Sequence, residues 1–103
     1  MGSCKFVKDP NAPGYKESSK QLTSIIHKGI TNALKMSNRG ENIPLLGKGI
    51  EDMLIEIGET FNNRYLDSIA PVVEKILKMK NLHGLIPASG LINTMNPRKR
   101  VQT

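Results

Sequence analysis

The apolar residues between Ser18 and Ser37 recur every three or four positions, which is the spacing of one face of an α-helix. They are Leu22, Ile25, Ile26, Ile30, Ala33 and Leu34. Ser18 with Gln21 three residues later fits an N-terminal capping box, and Ser37, Asn38 and Gly40 are typical of a helix end. We therefore predict a long first helix that begins near Ser18.

Later apolar segments predict further, shorter helices. Residues 38 to 49 contain Gly40, Pro44, Gly47 and Gly49, so we expect a loop there, followed by a second helix that begins at Ile50. A short third segment covers residues 65 to 69, and Pro71 can open a fourth helix in its first turn. We expect Asn81 to close that helix. Apolar residues between Leu82 and Met95 predict a fifth helix, in which Pro87 lies either in the first turn or at an interior kink.

The sequence shows no sustained alternation of apolar and polar residues and no Asn-Gly or Asp-Gly hairpin signal. Only 4% of the 103 residues are aromatic, so the core must consist of Ile, Leu, Val and Met. We predict an all-α fold, a compact right-handed bundle of four or five short helices. Its core pairs the first helix with the second and fourth through Ile25, Ile26, Ile30, Leu34, Ile50, Leu54, Ile57, Val73, Ile76 and Leu77.

Charge and composition divide the chain into a disordered leader over residues 1–16, a helical bundle over 17–96 and a basic tail over 97–103. The formal net charge is +6, and the leader and tail carry +2 and +3 of it. The body is nearly neutral, which weakens a nucleic-acid interpretation of the basic composition. Lys75, Lys78 and Lys80 form one local basic cluster, which equally fits a solvated helix end.

The sequence lacks a constellation of catalytic or metal-binding residues. Cys4 lies in the leader, His27 falls on the polar side of the first helix, and neither histidine has a ligand at metal-binding spacing. We therefore predict no enzyme activity and no cofactor. No apolar run reaches the roughly 20 residues that span a bilayer. We expect no membrane partner and an intracellular location, nuclear with a cytoplasmic location as the alternative.

Two alternative functions stay open. The turn Gly47-Lys48-Gly49 before Ile50 is similar to the hairpin of a helix-hairpin-helix motif, which binds nucleic-acid phosphates through backbone amides. It would act with Arg98, Lys99 and Arg100 of the basic tail. The other alternative is a membrane-anchored, matrix-like protein, because Gly2 and Cys4 stand beside basic residues at lipidation positions.

Two segments carry a family resemblance. They contain Ile26-His27, Ile30, Asn32 and Leu34-Lys35, and Lys75-Ile76, Lys78, Met79 and Lys80. With the order of helices, these residues resemble the integrase-binding domain of lens-epithelium-derived growth factor, within the family of N-terminal domains of transcription elongation factor TFIIS. The resemblance covers residues 18 to 96.

The resemblance implies a scaffold that binds short disordered motifs of transcription or chromatin proteins, typically a Phe flanked by acidic residues. It places the pocket between the loops after the first and fourth helices. The implied partner-binding residues are Met36, Ser37, Asn38, Lys75, Lys78, Met79, Lys80 and Asn81. In this pattern Met79 replaces an aromatic residue and Ser37 an acidic one. Met36 and Met79 are equally interpreted as residues that fill the core.

Overall fold

Four α-helices dominate the part of the chain that the computed structural model describes, residues 4–38, 42–86 and 88–96. They are α1 (Tyr15–Met36), α2 (Ile43–Thr60), α3 (Leu66–Met79) and α4 (Ala88–Met95). Short 3-10 turns, Asn63–Tyr65 and His83–Leu85, precede α3 and α4. The predicted all-α bundle of short helices is confirmed. None of the described helices is long and apolar enough to cross a membrane.

The first helix begins earlier than its sequence pattern indicates. α1 follows Gly14, which adopts a left-handed φ of 85°. Ser18 is therefore one turn inside the helix and does not cap it. Its buried hydroxyl donates to the Tyr15 carbonyl at 3.3 Å and accepts from the Val7 amide at 3.1 Å. The predicted end is confirmed, because α1 stops at Met36 and Asn38 has a φ of 52°.

The leader packs on the bundle from residue 4 onward, so the prediction of disorder is corrected for residues 4–16. Phe6 is 7% exposed, and its ring meets Phe61 edge-on with 6.0 Å between centroids. The Cys4 amide donates to the Thr60 carbonyl at 2.6 Å, and the Cys4 carbonyl accepts from the Asn62 amide at 2.9 Å. Because the core contains few aromatic residues, burial of Phe6 supplies apolar area that the short helices lack.

The second helix begins at Ile43, which corrects the loop predicted over residues 38 to 49. The Asn42 side chain caps it by accepting from the Leu45 amide at 3.3 Å. Pro44 lies in the first turn, where its missing N–H is not needed. Gly47 and Gly49 are helical, since neighbouring structure overrides their weak helix propensity.

The helices α1 and α2 pack closely on each other at two glycines. A Cβ added at Gly49 would stand 2.5 Å from both the Cα and the Cβ of Ala33. One added at Gly29 would collide with the side chain of Met53. The two helices therefore touch at distances that only glycine permits.

The C-terminal half of the bundle is built on α2. α4 packs on α2 and on α3, and a Cβ at Gly58 would overlap the Met95 carbonyl. α3 is continuous through Pro71, so the predicted third segment and fourth helix are one helix. As predicted, it closes at Asn81, whose φ is 59°. The Leu82 amide donates to the Leu77 carbonyl at 2.8 Å, which completes a Schellman motif.

The predicted fifth helix is shorter than expected, because α4 begins at Ala88 and residues 83 to 85 form a 3-10 turn. Pro87 and the basic tail lie outside the described residues. The predicted core is buried except for Leu34, which is 40% exposed, and Ile76, which is half-buried. Within the described part of the chain, α1 packs more closely on α2 than on α3, so Leu34 is only partly covered.

Replacement of Ile30 by alanine should destabilise the protein far more than the same replacement of Leu34. Ile30 is 7% exposed and belongs to the core. Loss of its contacts and the resulting cavity should lower the free energy of unfolding by about 2 to 5 kcal/mol. Leu34→Ala removes a side chain that water already contacts. Chemical denaturation of both variants measures the difference, and equal losses would contradict the exposure of Leu34.

Replacement of two glycines of α2 by alanine should change the stability of the protein in opposite directions. Gly49→Ala forces α1 and α2 apart at Ala33, and such overpacking should cost about 1 to 3 kcal/mol. Gly47→Ala meets no atom within 4 Å and should stabilise the protein by about 0.5 to 1 kcal/mol through helix propensity. Thermal unfolding of both variants tests the pair. A stabilised Gly49 variant would be incompatible with the close approach of the two helices.

Candidate functional site

An apolar groove separates α1 from the C-terminal half of α3. Its volume is about 400 Å³. α1 contributes Thr23, Ile26, His27, Ile30, Thr31 and Leu34, and α3 contributes Ile76 and Lys80. The groove exists because α1 packs on α2 and leaves its opposite side without a helix partner among the described residues. We call it the α1–α3 groove.

The α1–α3 groove continues toward the C-terminal end of α1. There an open depression of about 580 Å³ is lined by Thr31, Leu34, Lys35 and Asn38. Thr31 and Leu34 line both cavities. The two cavities therefore form one surface that follows α1 for more than half its length.

The groove has an apolar floor and a basic rim. Ile26 and Ile30 are buried at its bottom, and Ile76 is half-buried. Lys35 and Lys80 are exposed and, in the described part of the chain, neither takes part in an ion pair. No acidic side chain is found among the described lining residues. This arrangement can bury an apolar side chain while it attracts carboxylates.

The residues predicted after the first helix are divided between different surfaces. Met36 lines a separate depression of about 120 Å³ between α1 and α2, beside Asp52 and Glu56. Ser37 is buried, and its hydroxyl donates to the Leu34 carbonyl at 3.1 Å, so it does not face a partner. Asn38 lies at the end of the α1–α3 groove.

The residues predicted after the fourth helix, now the end of α3, are also dispersed. Lys80 lines the α1–α3 groove, whereas Lys78 lines a depression of about 260 Å³ beside α4 and lies 3.9 Å from Glu74. Lys75 is exposed and is not among the described residues that line the groove. Asn81 forms the turn that closes the helix.

Neither methionine fills the core. Met36 is 39% and Met79 is 72% exposed, so the interpretation as core residues is wrong for both. The structure brings Asn38 and Lys80 to the α1 surface and leaves the other six predicted residues outside it. The groove residues that sequence reasoning did not identify as a site are Thr23, Ile26, His27, Ile30, Thr31, Leu34, Lys35 and Ile76. The apolar residues among them had been assigned to the core. The apolar face of α1 is wider than its contact with α2 requires, and this width is the sequence signal that could have identified them.

The turn on which the alternative nucleic-acid-binding function depends is not found in the structure. Gly47, Lys48 and Gly49 lie inside α2, where backbone amides bond to carbonyls of the same helix. The predicted hairpin is therefore wrong, and Lys48 faces Asp52 at 4.0 Å. Arg98, Lys99 and Arg100 lie outside the described residues.

The titratable residues of the described segments are scattered. No group of three or more His, Cys, Asp and Glu side chains in those segments could hold a metal ion. The thiol of Cys4 is exposed and donates to the Gln21 side chain at 2.9 Å.

Comparison with known proteins identifies no relative. No protein-family model, no curated protein and no solved structure matches the chain. The resemblance to N-terminal domains of TFIIS therefore stays a prediction, and the function must be argued from the groove itself.

Proposed function

We propose that this domain is a non-enzymatic interaction module that binds a short acidic protein segment in the α1–α3 groove. The observation that carries the proposal is the combination of an apolar floor, formed by Ile26, Ile30 and Ile76, with a rim that carries Lys35 and Lys80. A Phe or another large apolar side chain of the partner occupies the floor. Acidic neighbours of that side chain lie against the lysines.

Burial of the partner's apolar side chain supplies most of the binding energy. An aromatic side chain buries about 150 to 250 Å² in such a contact, and central apolar anchors dominate interface energetics. The exposed lysines act mainly on specificity and on the association rate, because charges at a solvated rim are screened. A partner without an apolar anchor would therefore bind weakly, whatever its charge.

The class of partner follows from the sequence resemblance. N-terminal domains of the TFIIS family bind disordered segments of transcription and chromatin proteins, so we propose partners of that class and a nuclear location. This part of the proposal depends on the resemblance, whereas the acidic and apolar character of the partner depends on the groove. Fractionation of cells that express the tagged chain tests the location.

Reversal of the charge at Lys80 should weaken binding of an acidic peptide with a central Phe. Lys80→Glu places a carboxylate on the groove rim, where like charges repel, and should lower the affinity by about fivefold to tenfold. Titration of the full chain with the peptide, followed by NMR amide shifts and fluorescence anisotropy, measures the effect. The shifted amides should include those of Ile30, Leu34 and Ile76.

The matched control is Lys75→Glu, on the same helix and equally exposed but outside the groove lining. It introduces the same charge change and should leave the affinity nearly unaltered. An equal loss in both variants would indicate a nonspecific charge effect. Amide shifts confined to residues outside the groove would refute the proposed site.

A further inference from the structure

The residues with which α1 lines the groove follow helical spacing. The lining positions on α1 are 23, 26, 27, 30, 31, 34 and 35, and Asn38 lies just beyond the end of the helix. The seven helical positions span about 18 Å at roughly 1.5 Å per residue. On α3, Ile76 and Lys80 are four residues apart and therefore lie on one face. Two helical surfaces thus border one long depression.

We propose that the occupant of the α1–α3 groove is an acidic amphipathic α-helix of about three turns that belongs to a partner protein. The inference rests on the proposed function and specifies the conformation of the bound segment. The helix presents apolar side chains at intervals of three and four residues to Ile26, Ile30 and Leu34. Its acidic residues flank that stripe and face Lys35 and Lys80.

The chemistry of the walls favours a helix over an extended peptide. An extended segment needs partners for its backbone N–H and C=O groups, and the described walls consist of helix side chains that are mostly apolar or basic. A helix satisfies its own backbone hydrogen bonds. Its side-chain ridges can also enter the groove between two other helices, as in ordinary helix packing.

Among the described helices, none offers such an occupant in a second copy. The acidic residues of α2 lie outward while its apolar face is buried against α1. The basic rim of the groove therefore complements an acidic helix of a partner protein rather than α2 of another copy.

Two synthetic 16-residue peptides of identical composition, rich in Leu and Glu, provide the first test. One places its five Leu at positions 2, 5, 9, 12 and 16, which form a helical stripe. The other places the same five Leu at positions 2, 4, 6, 8 and 10, so that no single stripe forms. Fluorescence anisotropy with the full chain should show at least about tenfold tighter binding of the first peptide, with increased helical circular dichroism on mixing. Equal affinities would overturn the inference.

A pair of protein variants provides the second test. Thr31→Glu places a carboxylate in the middle of the groove and should lower the affinity for the helical peptide by about tenfold or more. Asn32→Glu, one residue along α1, adds the same charge on the side that faces α2 and should bind as the unaltered protein does. Both sites are exposed, and circular dichroism verifies that the variants fold. Undiminished binding by Thr31→Glu would reject the site.

The outcomes separate this inference from the function on which it rests. If the short Phe-containing peptide shifts groove amides and the two Leu–Glu peptides bind equally, the helix inference fails and the proposed function stands. If the helical peptide binds, Thr31→Glu weakens that binding and the short Phe-containing peptide does not bind, the helix inference is supported. The proposal that a short Phe-containing motif occupies the groove then fails. If no peptide binds, both fail.

Discussion

The close contact between α1 and α2 determines the rest of this structure. Gly49 lies against Ala33 and Gly29 against Met53 at distances that exclude a side chain. Because of this contact, one face of α1, the longest described helix, is buried against α2. α4 then attaches to α2 and α3, so the remaining helices extend the bundle away from α1 instead of covering it. The opposite side of α1 becomes the wall of a groove.

The sequence allowed prediction of those features that depend on local chemistry. The stripe that includes Ile26 and Ile30 predicted α1, and Asn38 and Asn81 marked helix ends because asparagine tolerates a left-handed conformation. The start of α2 was missed because Gly47 and Gly49 are typical of loops. Gly49 is instead required by the approach of α1, a tertiary reason that local patterns do not contain.

The leader and the site were missed for related reasons. Phe6 stands alone in a polar segment, and only its contact with Phe61 shows that it belongs to the core. Ile30 and Leu34 share one helical stripe, yet Ile30 is buried and Leu34 is exposed. The exposure of each side chain depends on how closely α3 approaches α1. The spacing of apolar residues within α1 does not determine that distance. Lys80 was identified because the family resemblance places the pocket directly after the end of this helix, and that helix end is a local feature of the sequence.

The distribution of charge in the folded bundle changes the meaning of its nearly neutral composition. Acidic residues cluster where α2 meets α1: Glu56 pairs with Lys28 at 3.2 Å, and Asp52 borders the depression that contains Met36. The other side of α1 carries Lys35 and faces Lys80 of α3, with no carboxylate among the described lining residues. A sum over the sequence cancels these charges, but it does not show where they lie. In the fold Glu56 and Asp52 lie near Lys28 and Lys48, whereas the lysines of the groove have no ion-pair partner among the described residues. The groove therefore presents a basic rim on a body that is almost neutral.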